Sequence, residues 1–196
     1  MGRYIVGITG ASGVIYGIRL VDELLKAGME IELVVSRPAV IVMGQEMGWP
    51  VAEDNMHNYL LDYWTGSALT LYDNNDIAAP IASGSYLVNG MLIVPCTMAT
   101  AAAVAMGASR NLIERSADVM LKERRPLIVM PRETPLSSTH LRNLLALSDA
   151  GAHVIPAMPG FYTNPRTIDD MVKFMVGKVL DSLAIPHQLF GRYTGK

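Results

Sequence analysis

The sequence predicts an α/β protein whose doubly wound parallel sheet carries helices on both faces. Short apolar runs rich in β-branched residues alternate with segments whose apolar residues recur at helical spacing. Strands that alternate with helices in this way form parallel sheets, because each helix returns the chain to the start of the next strand. No internal repeat, low-complexity tract or linker interrupts the 196 residues, so we expect one domain over residues 1–196.

The first 36 residues contain a complete β-α-β unit. Residues 3–9 (RYIVGIT) predict a buried strand, and residues 12–27 repeat apolar side chains at helical spacing. Gly28 stands where a glycine commonly ends a helix. Residues 30–36 predict the second strand, and Pro38 then belongs to the first turn of a second helix.

The rest of the chain continues the alternation after a less regular stretch at residues 49–76, which carries aromatic residues and turn signals. Five strands are predicted in all. The later elements are a strand at 91–95, helices at 97–107 and 111–123, a strand at 126–131, a helix from near Ser137, a strand at 152–156 and a helix at about 167–183.

Composition points to an oligomer. The chain is 51% hydrophobic and 17% charged, with a mean hydropathy of +0.27. That charged fraction is low against the roughly 25% of ordinary domains. A chain this apolar has extra surface to bury, and a subunit interface is the usual place. We therefore expect a homo-oligomer.

Charge and cysteine content exclude other classes. The formal net charge of −2 gives no electrostatic basis for binding nucleic acid. A single cysteine permits neither an internal disulfide nor a cysteine zinc site, and the four histidines share no ligand spacing. No apolar stretch reaches the ~18 residues of a membrane span, so we expect a cytoplasmic protein.

Loops rich in glycine and hydroxyl residues follow the predicted strands. Parallel sheets bind ligands beyond the carboxyl ends of their strands, so these loops mark the candidate site. Hydroxyl and N–H groups at helix N-termini, with arginine nearby, favour a phosphorylated anion. Taken singly, each loop is explained by helix capping, and Ser12 is expected to cap the first helix. The loops are residues 9–13 (TGASG), 36–37, 95–100 (PCTMAT), 131–134 (PRET) and 156–167.

The glycines of residues 7–17 (GITGASGVIYG) match neither common nucleotide-binding signature. They fall as G-x-x-G-x-x-G, whereas the dinucleotide fingerprint reads G-x-G-x-x-G. No Lys-Ser/Thr pair completes a P-loop either. The spacing alone leaves the phosphorylated ligand open.

Arg132 and Glu133 are the sharpest candidates for chemistry. They stand between two prolines directly after a predicted buried strand, where solubility explains charged residues poorly. A local ion pair is the simpler interpretation. We favour function, because Glu133 can handle a proton while Arg132 holds an anion. Arg115 and Lys122 lie seven residues apart on one helical face, where a solvated surface is the more common role.

Together the motifs resemble one known family. TGASG, YDNND…ASGS, PCTMAT, RSADVMLKERRPL, PRETPLSSTHL and PGFYTNP follow one another in the order and spacing of the UbiX-type flavin prenyltransferases. That family is also described as phenylacrylic acid decarboxylase or as a component of hydroxyarylic acid decarboxylase. The resemblance extends from residue 5 to about residue 183, and the LKERR and PRETPLS blocks are specific to it. It implies a flavodoxin-like (Rossmann-like) flavoprotein domain.

The resemblance also implies an activity and partners. Members transfer a dimethylallyl group from dimethylallyl phosphate, or in some relatives the diphosphate, to N5 and C6 of reduced FMN. The prenylated FMN is used by a separate UbiD-type decarboxylase, and no metal is required. Members are homo-oligomers, often dodecamers. The choice between phosphate and diphosphate stays open, since Lys178 replaces a common arginine and Tyr193 replaces a tryptophan of some members.

Site residues are implied by the same resemblance. The catalytic positions are Ser12, Glu46 and Glu133. The prenyl phosphate is expected at Arg115, Lys122, Tyr162 and Lys178. FMN is expected to contact Gly10, Ala11, Ser12, Ser36, Thr97, Met98, Ala99, Thr100 and Arg132.

Two other functions compete with this interpretation. The first is an FMN-dependent decarboxylase of the cysteinyl-peptide or phosphopantothenoylcysteine type, which we rank lower because the PCTMAT loop lacks the expected asparagine and histidine. The second is a non-catalytic, FMN-carrying accessory subunit. Carrying FMN would not demand Glu133, Lys122 and Tyr162, so their presence favours catalysis.

Overall fold

The computed structural model describes residues 2–52 and 54–192, so Tyr193 lies outside the described residues. Within these ranges six strands form one parallel sheet: β1 (Arg3–Ile8), β2 (Glu30–Val35), β3 (Leu69–Asp73), β4 (Gly90–Cys96), β5 (Leu127–Pro131) and β6 (His153–Val154). The helices are α1 (Val14–Lys26), α2 (Arg37–Met47), α3 (Met56–Tyr63), α4 (Met98–Ala105), α5 (Leu112–Lys122), α6 (Ser138–Asp149) and α7 (Ile168–Ser182), with a short 3-10 helix at Pro80–Ala82.

The strand order is β3-β2-β1-β4-β5-β6, and every neighbouring pair is parallel. Without the edge strand β3, the remaining order is that of flavodoxin-like sheets, and the full order is that of doubly wound dinucleotide-binding domains. The predicted fold class is confirmed. The order reverses between β1 and β4, which is where such sheets open a ligand crevice.

The predicted elements are present, but the prediction of five strands is wrong by one. The missed strand, β3, lies in the stretch interpreted as irregular, and so does α3. Each buries a single residue, Leu71 in β3 and Leu60 in α3. An edge strand and a surface helix need only a narrow apolar face, so their sequences carry a weak periodic signal.

Two apolar layers cover the sheet, one on each face. Alternate residues of the central strand β1 serve both layers, because successive side chains of a strand point to opposite faces. Val6 and Ile8 pack with α1, α2 and α7, whereas Ile5 packs with α4, α5 and α6. These layers hold the strand ends in place and so position the loops beyond them.

Helix α1 lies unusually close to the sheet at Gly17. A Cβ atom at this position would overlap the carbonyl oxygen of Val94 in β4. At the other end of the helix, the predicted role of Gly28 is confirmed, because Gly28 follows the end of α1 and has a φ of 77°.

Among the helices of the described ranges, none is long and apolar enough to cross a bilayer.

Candidate functional site

The loops that follow β1, β2 and β4 are bonded to one another at the carboxyl edge of the sheet. The Ser36 N–H, directly after β2, donates to the Ile8 carbonyl at 2.9 Å. The Thr9 hydroxyl, directly after β1, donates to the Pro95 carbonyl at 2.8 Å and accepts from the Thr97 N–H at 2.8 Å. The structure therefore brings together the loops that the sequence indicated.

The loop at residues 10–12 supplies N–H groups at this edge. No acceptor among the described residues pairs with the N–H groups of Gly10, Ala11 or Ser12. Gly10 has to be a glycine here, because a Cβ atom would overlap the ring of Pro38 in α2. The Ser12 carbonyl accepts from Arg132 Nε at 3.2 Å, so the loop after β5 closes over the same place.

The expectation that Ser12 caps α1 is wrong. The N-cap residue is Gly13, which has a left-handed backbone conformation with φ of 95° and no side chain that could cap the helix. Glu46 does so from the last turn of α2: its Oε2 accepts from the N–H groups of Gly13 at 2.8 Å and Val14 at 3.3 Å. A carboxylate there is favoured by the helix dipole. Ser12, the residue before the N-cap, is left exposed.

The first turns of α2 and α4 are capped by hydroxyl residues. Ser36 Oγ accepts from the Ala39 N–H at 3.4 Å, and Thr97 Oγ1 accepts from the Thr100 N–H at 3.1 Å. The N–H groups of Met98 and Ala99 belong to the first turn of α4, where the helix itself offers no acceptor. The start of α4 thus has N–H groups without a helical acceptor, and it is joined to the loop after β1 by the bond between Thr97 and Thr9.

Arg132 and Glu133 do not form an ion pair with each other, although both are within the described residues. Arg132 bonds to Ser12, while Glu133 Oε1 accepts from the Thr134 N–H at 3.1 Å. The interpretation as a local ion pair is therefore wrong. The two side chains instead line an open cleft together with Thr134, Leu136, Leu144, Pro156, Ala157 and Met158.

Arg115 and Lys122 lie at different heights along α5. The helix starts at the carboxyl edge, where the Leu112 N–H donates to the Asn74 carbonyl at 2.8 Å, and it runs toward the amino edge. Arg115 donates to the Ala82 carbonyl at 3.1 Å. Lys122 ends the helix, exposed and paired with Glu123 at 2.8 Å. One chain therefore does not bring Lys122 to Glu133.

Tyr162 and Lys178 lie on the segment that follows β6. Tyr162 is 60% exposed, and its ring packs edge-on against Phe174 of α7 with a centroid separation of 5.6 Å. Lys178 is exposed in the second half of α7, where it lines a surface cleft with His153 of β6. Neither residue lines the cleft of Arg132 and Glu133, so the four residues expected at the prenyl phosphate are spread over the surface of one chain.

Tyr16 belongs to this region but was not among the predicted site residues. Burial raises the pKa of its phenol; the Arg132 guanidinium opposes that change and the Glu46 carboxylate adds to it. Its ring lies against Gly13. Tyr16 lies in the first turn of α1, four residues after Ser12, and that closeness in sequence was the available signal.

The part of the chain that the structure describes contains no set of metal ligands. No group of three or more His, Cys, Asp or Glu residues there could hold a metal ion. Cys96 is fully buried at the end of β4, and burial raises the pKa of its thiol. The groups available at this edge therefore include N–H groups, hydroxyls, the Arg132 guanidinium and the carboxylates of Glu46 and Glu133.

Comparison with protein families gives a match over most of the chain. The family model described as Flavoprotein matches residues 2–180. "Flavin prenyltransferase UbiX" of Halalkalibacterium halodurans is 49% identical over 192 residues, which cover 98% of this chain and 93% of the relative. The protein of the same name from Pseudomonas aeruginosa is 45% identical, with 97% of this chain and 93% of the relative covered.

Solved structures give the same result. A structure described as AnUbiX (PadA1) in complex with FMN and dimethylallyl pyrophosphate superposes with a TM-score of 0.89 at 38% identity, covering 100% of this chain and 98% of that one. A dodecameric FMN-dependent UbiX-like decarboxylase from Escherichia coli gives 0.88 at 38% identity, covering 98% and 100%.

More distant structures share only the fold. A phosphopantothenoylcysteine (PPC) decarboxylase mutant reaches a TM-score of 0.56 at 18% identity, and the cypemycin decarboxylase CypD reaches 0.58 at 13%. Relatives that are 42–50% identical over nearly the full length carry the UbiX name. The chain belongs to the UbiX flavin prenyltransferase family of flavoproteins.

Proposed function

We propose that this protein is an enzyme that transfers a dimethylallyl group from dimethylallyl phosphate to N5 and C6 of reduced FMN. The observation that carries the proposal is the juxtaposition at one sheet edge of an anion-binding loop and the cleft of Arg132 and Glu133. The product, prenylated FMN, would serve a UbiD-type decarboxylase. Residues 1–196 act as one flavoprotein domain in this proposal.

The residues at the carboxyl edge fit FMN. Its phosphate needs N–H donors and a cation, and the loop at residues 10–12 offers three N–H groups that find no acceptor among the described residues. Among the described residues, Arg132 donates a hydrogen bond only through Nε. Its terminal Nη groups are therefore available to an anion or a ring carbonyl. We assign FMN contacts to this loop and to Ser36, residues 97–100 and Arg132. Reduced FMN supplies the electron-rich ring that accepts the prenyl group.

The prenyl donor needs cations and a proton-handling group. A departing phosphate is stabilised by positive charge and by hydrogen bonds. We assign the positive charge to Arg115, Lys122 and Lys178, and a hydrogen bond to the hydroxyl of Tyr162. Glu133 is assigned the proton: it faces the cleft and is not neutralised by Arg132. Ser12 precedes Gly13, whose N–H group donates to Glu46, and we assign both Ser12 and Glu46 to catalysis beside the flavin.

The donor site requires more than one chain in this proposal. Lys122 lies at the amino edge of the sheet and Glu133 at the carboxyl edge, so a neighbouring chain would supply the phosphate-binding cations. A homo-oligomer, with a dodecamer as the expected form, meets that requirement. The solved UbiX-like neighbour from Escherichia coli is described as dodecameric.

The competing decarboxylase function has less support. The decarboxylases of cysteinyl substrates share only the fold with this chain, at 13–18% identity. The segment joining β4 to α4 reads PCTMAT and contains neither asparagine nor histidine. The test uses both the monophosphate and the diphosphate donor.

A coupled assay tests the proposal. The protein, reduced FMN and dimethylallyl phosphate or diphosphate are incubated without oxygen, and the protein-free filtrate is added to a UbiD-type decarboxylase that lacks its cofactor. Decarboxylation is expected only from the filtrate that contained all three components. Equal activation by a filtrate lacking either the protein or the prenyl donor would contradict the proposal.

A further inference from the structure

Thr9 stands at the point where two loops of the site diverge. It follows β1 directly, and only 2% of the residue is exposed. Its hydroxyl donates to the carbonyl of Pro95 in β4 and accepts from the N–H of Thr97, each at 2.8 Å. One buried hydroxyl thus joins the end of β1 both to the end of β4 and to the N-cap of α4.

This position is the reversal point of the sheet. After β1 the chain passes to α1 on one face, whereas after β4 it passes to α4 on the other face. The two loops therefore separate just beyond Thr9 and leave a crevice between them. Thr9 also bonds across this gap through its backbone, since its N–H donates to the Pro95 carbonyl at 3.2 Å.

The internal bonding leaves particular N–H groups for a ligand. The Thr97 N–H is used by Thr9, and the Thr97 hydroxyl is used by the first turn of α4. Among the described residues, the N–H groups that remain are those of residues 10–12 on one side and of Met98 and Ala99 on the other. The Thr9 side chain contacts the starting points of both loops.

We propose that Thr9 is a positioning residue for FMN: its hydroxyl sets the spacing between the residue 10–12 loop and the start of α4, so that both reach one flavin phosphate and ribityl chain. The inference rests on the proposed function only in taking FMN as the ligand. It adds a residue that would touch no part of the flavin and would act through the two loops.

The test is FMN binding by Thr9→Val, which keeps the shape of the side chain and removes both hydrogen bonds. FMN affinity, measured from the change in flavin fluorescence, is expected to fall about tenfold, the order expected from one or two lost hydrogen bonds. Thr9→Ser keeps the hydroxyl and is expected to bind FMN as the wild type does. The absorbance spectrum of bound flavin should shift in Thr9→Val and not in Thr9→Ser.

Ser67→Ala is the matched control. The Ser67 hydroxyl donates to the Trp64 carbonyl at 2.6 Å, ahead of β3 at the amino edge, so its loss removes a part-buried hydrogen bond away from the loops. Thermal unfolding of both variants shows how much stability each has lost. Weak FMN binding in Thr9→Val, with wild-type binding in Ser67→Ala at a comparable loss of stability, supports a positioning role.

Other outcomes overturn the inference. Wild-type FMN affinity in folded Thr9→Val would show that the hydroxyl does not set the spacing, and equal weakness in Thr9→Ser would assign the effect to methyl packing. Should Thr9→Val not fold, Thr9→Cys replaces the hydroxyl by a thiol, a weaker hydrogen-bonding group. Wild-type affinity there would also contradict the role. A wild-type protein that binds FMN but forms no prenylated FMN would refute the proposed function and leave this test intact.

Discussion

Glu133 lies in the cleft, and its carboxylate accepts a hydrogen bond from the backbone N–H of Thr134. Glu133→Gln keeps the size and the hydrogen-bond acceptor but cannot exchange a proton. We predict a loss of prenyl-transfer rate of about 10²–10⁴-fold, the usual contribution of a general acid or base. FMN affinity should stay near that of the wild type. Stopped-flow rates and FMN titrations measure the two quantities separately.

A variant far from the cleft controls for the loss of one carboxylate. Glu23→Gln removes a charge that pairs with Lys26 in the last turn of α1, at the end of the helix opposite to the site, and should leave the rate unchanged. A Glu133→Gln enzyme that turns over at the wild-type rate would show that this carboxylate handles no proton.

Variants of Ser12 and Glu46 distinguish a role in catalysis from a role in capping α1. Because Glu46 and not Ser12 caps α1, Ser12→Ala should change the free energy of unfolding by no more than about 0.5 kcal/mol. Glu46→Ala should lower it by about 1 kcal/mol, the usual value of a lost N-cap. Ser12→Ala should still lower turnover while FMN stays bound. Urea unfolding of both variants decides this, and a larger loss in Ser12→Ala would contradict the assigned cap.

The close packing of α1 against β4 can be tested by adding a methyl group at Gly17. Gly17→Ala places a Cβ atom against the Val94 carbonyl, so we predict a loss of about 1–3 kcal/mol in unfolding free energy from overpacking. Gly44→Ala in α2 is the control, since its nearest neighbour would be 3.7 Å away. There the better helix propensity of alanine should leave stability equal or higher by up to about 1 kcal/mol. Equal stability of both variants would show that α1 is not seated as described.

At the same scale, elements with strong local signals were predictable. The first β-α-β unit has a β-branched strand, a helical apolar stripe and Gly28 at the helix end, and each of these acts within a few residues. Strand β3 was missed because only Leu71 is buried in it. An edge strand takes its stability from pairing with its neighbour, here β2. The sequence of β3 alone does not indicate that pairing.

The candidate site divides in the same way. The loops after the strands could be predicted, because the parallel order alone brings them to one edge. The capping of α1 by Glu46 could not, since 32 residues separate Glu46 from Val14 and only the packing of α1 against α2 brings them together. The separate partners of Arg132 and Glu133 could not be predicted either. Two neighbouring charges in a sequence do not specify the directions of their side chains.

The whole molecule exposes large apolar side chains that an assembly would cover. Met106 and Ile168 are each 80% exposed, and Leu145, Met158 and Phe161 are more than half exposed. We predict a homo-oligomer larger than a dimer at micromolar concentration, because burial of such surface drives association. Light scattering coupled to size exclusion measures the mass. A monomer with full activity would contradict this.

Mixing of variant chains tests whether the donor site is shared. Lys122→Ala and Glu133→Gln should each be inactive alone, because each would leave every site one residue short. Co-expressed, they should form mixed oligomers in which some sites combine an intact Glu133 from one chain with an intact Lys122 from another. Recovered activity is the expected result. Co-expressed oligomers as inactive as the two parents would place both residues of a site in one chain.

The most direct measurement is the mass of the flavin after a single anaerobic incubation. The purified wild-type protein is mixed with reduced FMN and dimethylallyl phosphate, in parallel with the diphosphate and with no donor, and the flavin is released and analysed by mass spectrometry. We predict FMN heavier by one dimethylallyl group in place of hydrogen, formed only with protein and donor present and formed far more slowly by Glu133→Gln. Unchanged FMN with both donors, in a protein shown to bind FMN, would contradict prenyl transfer.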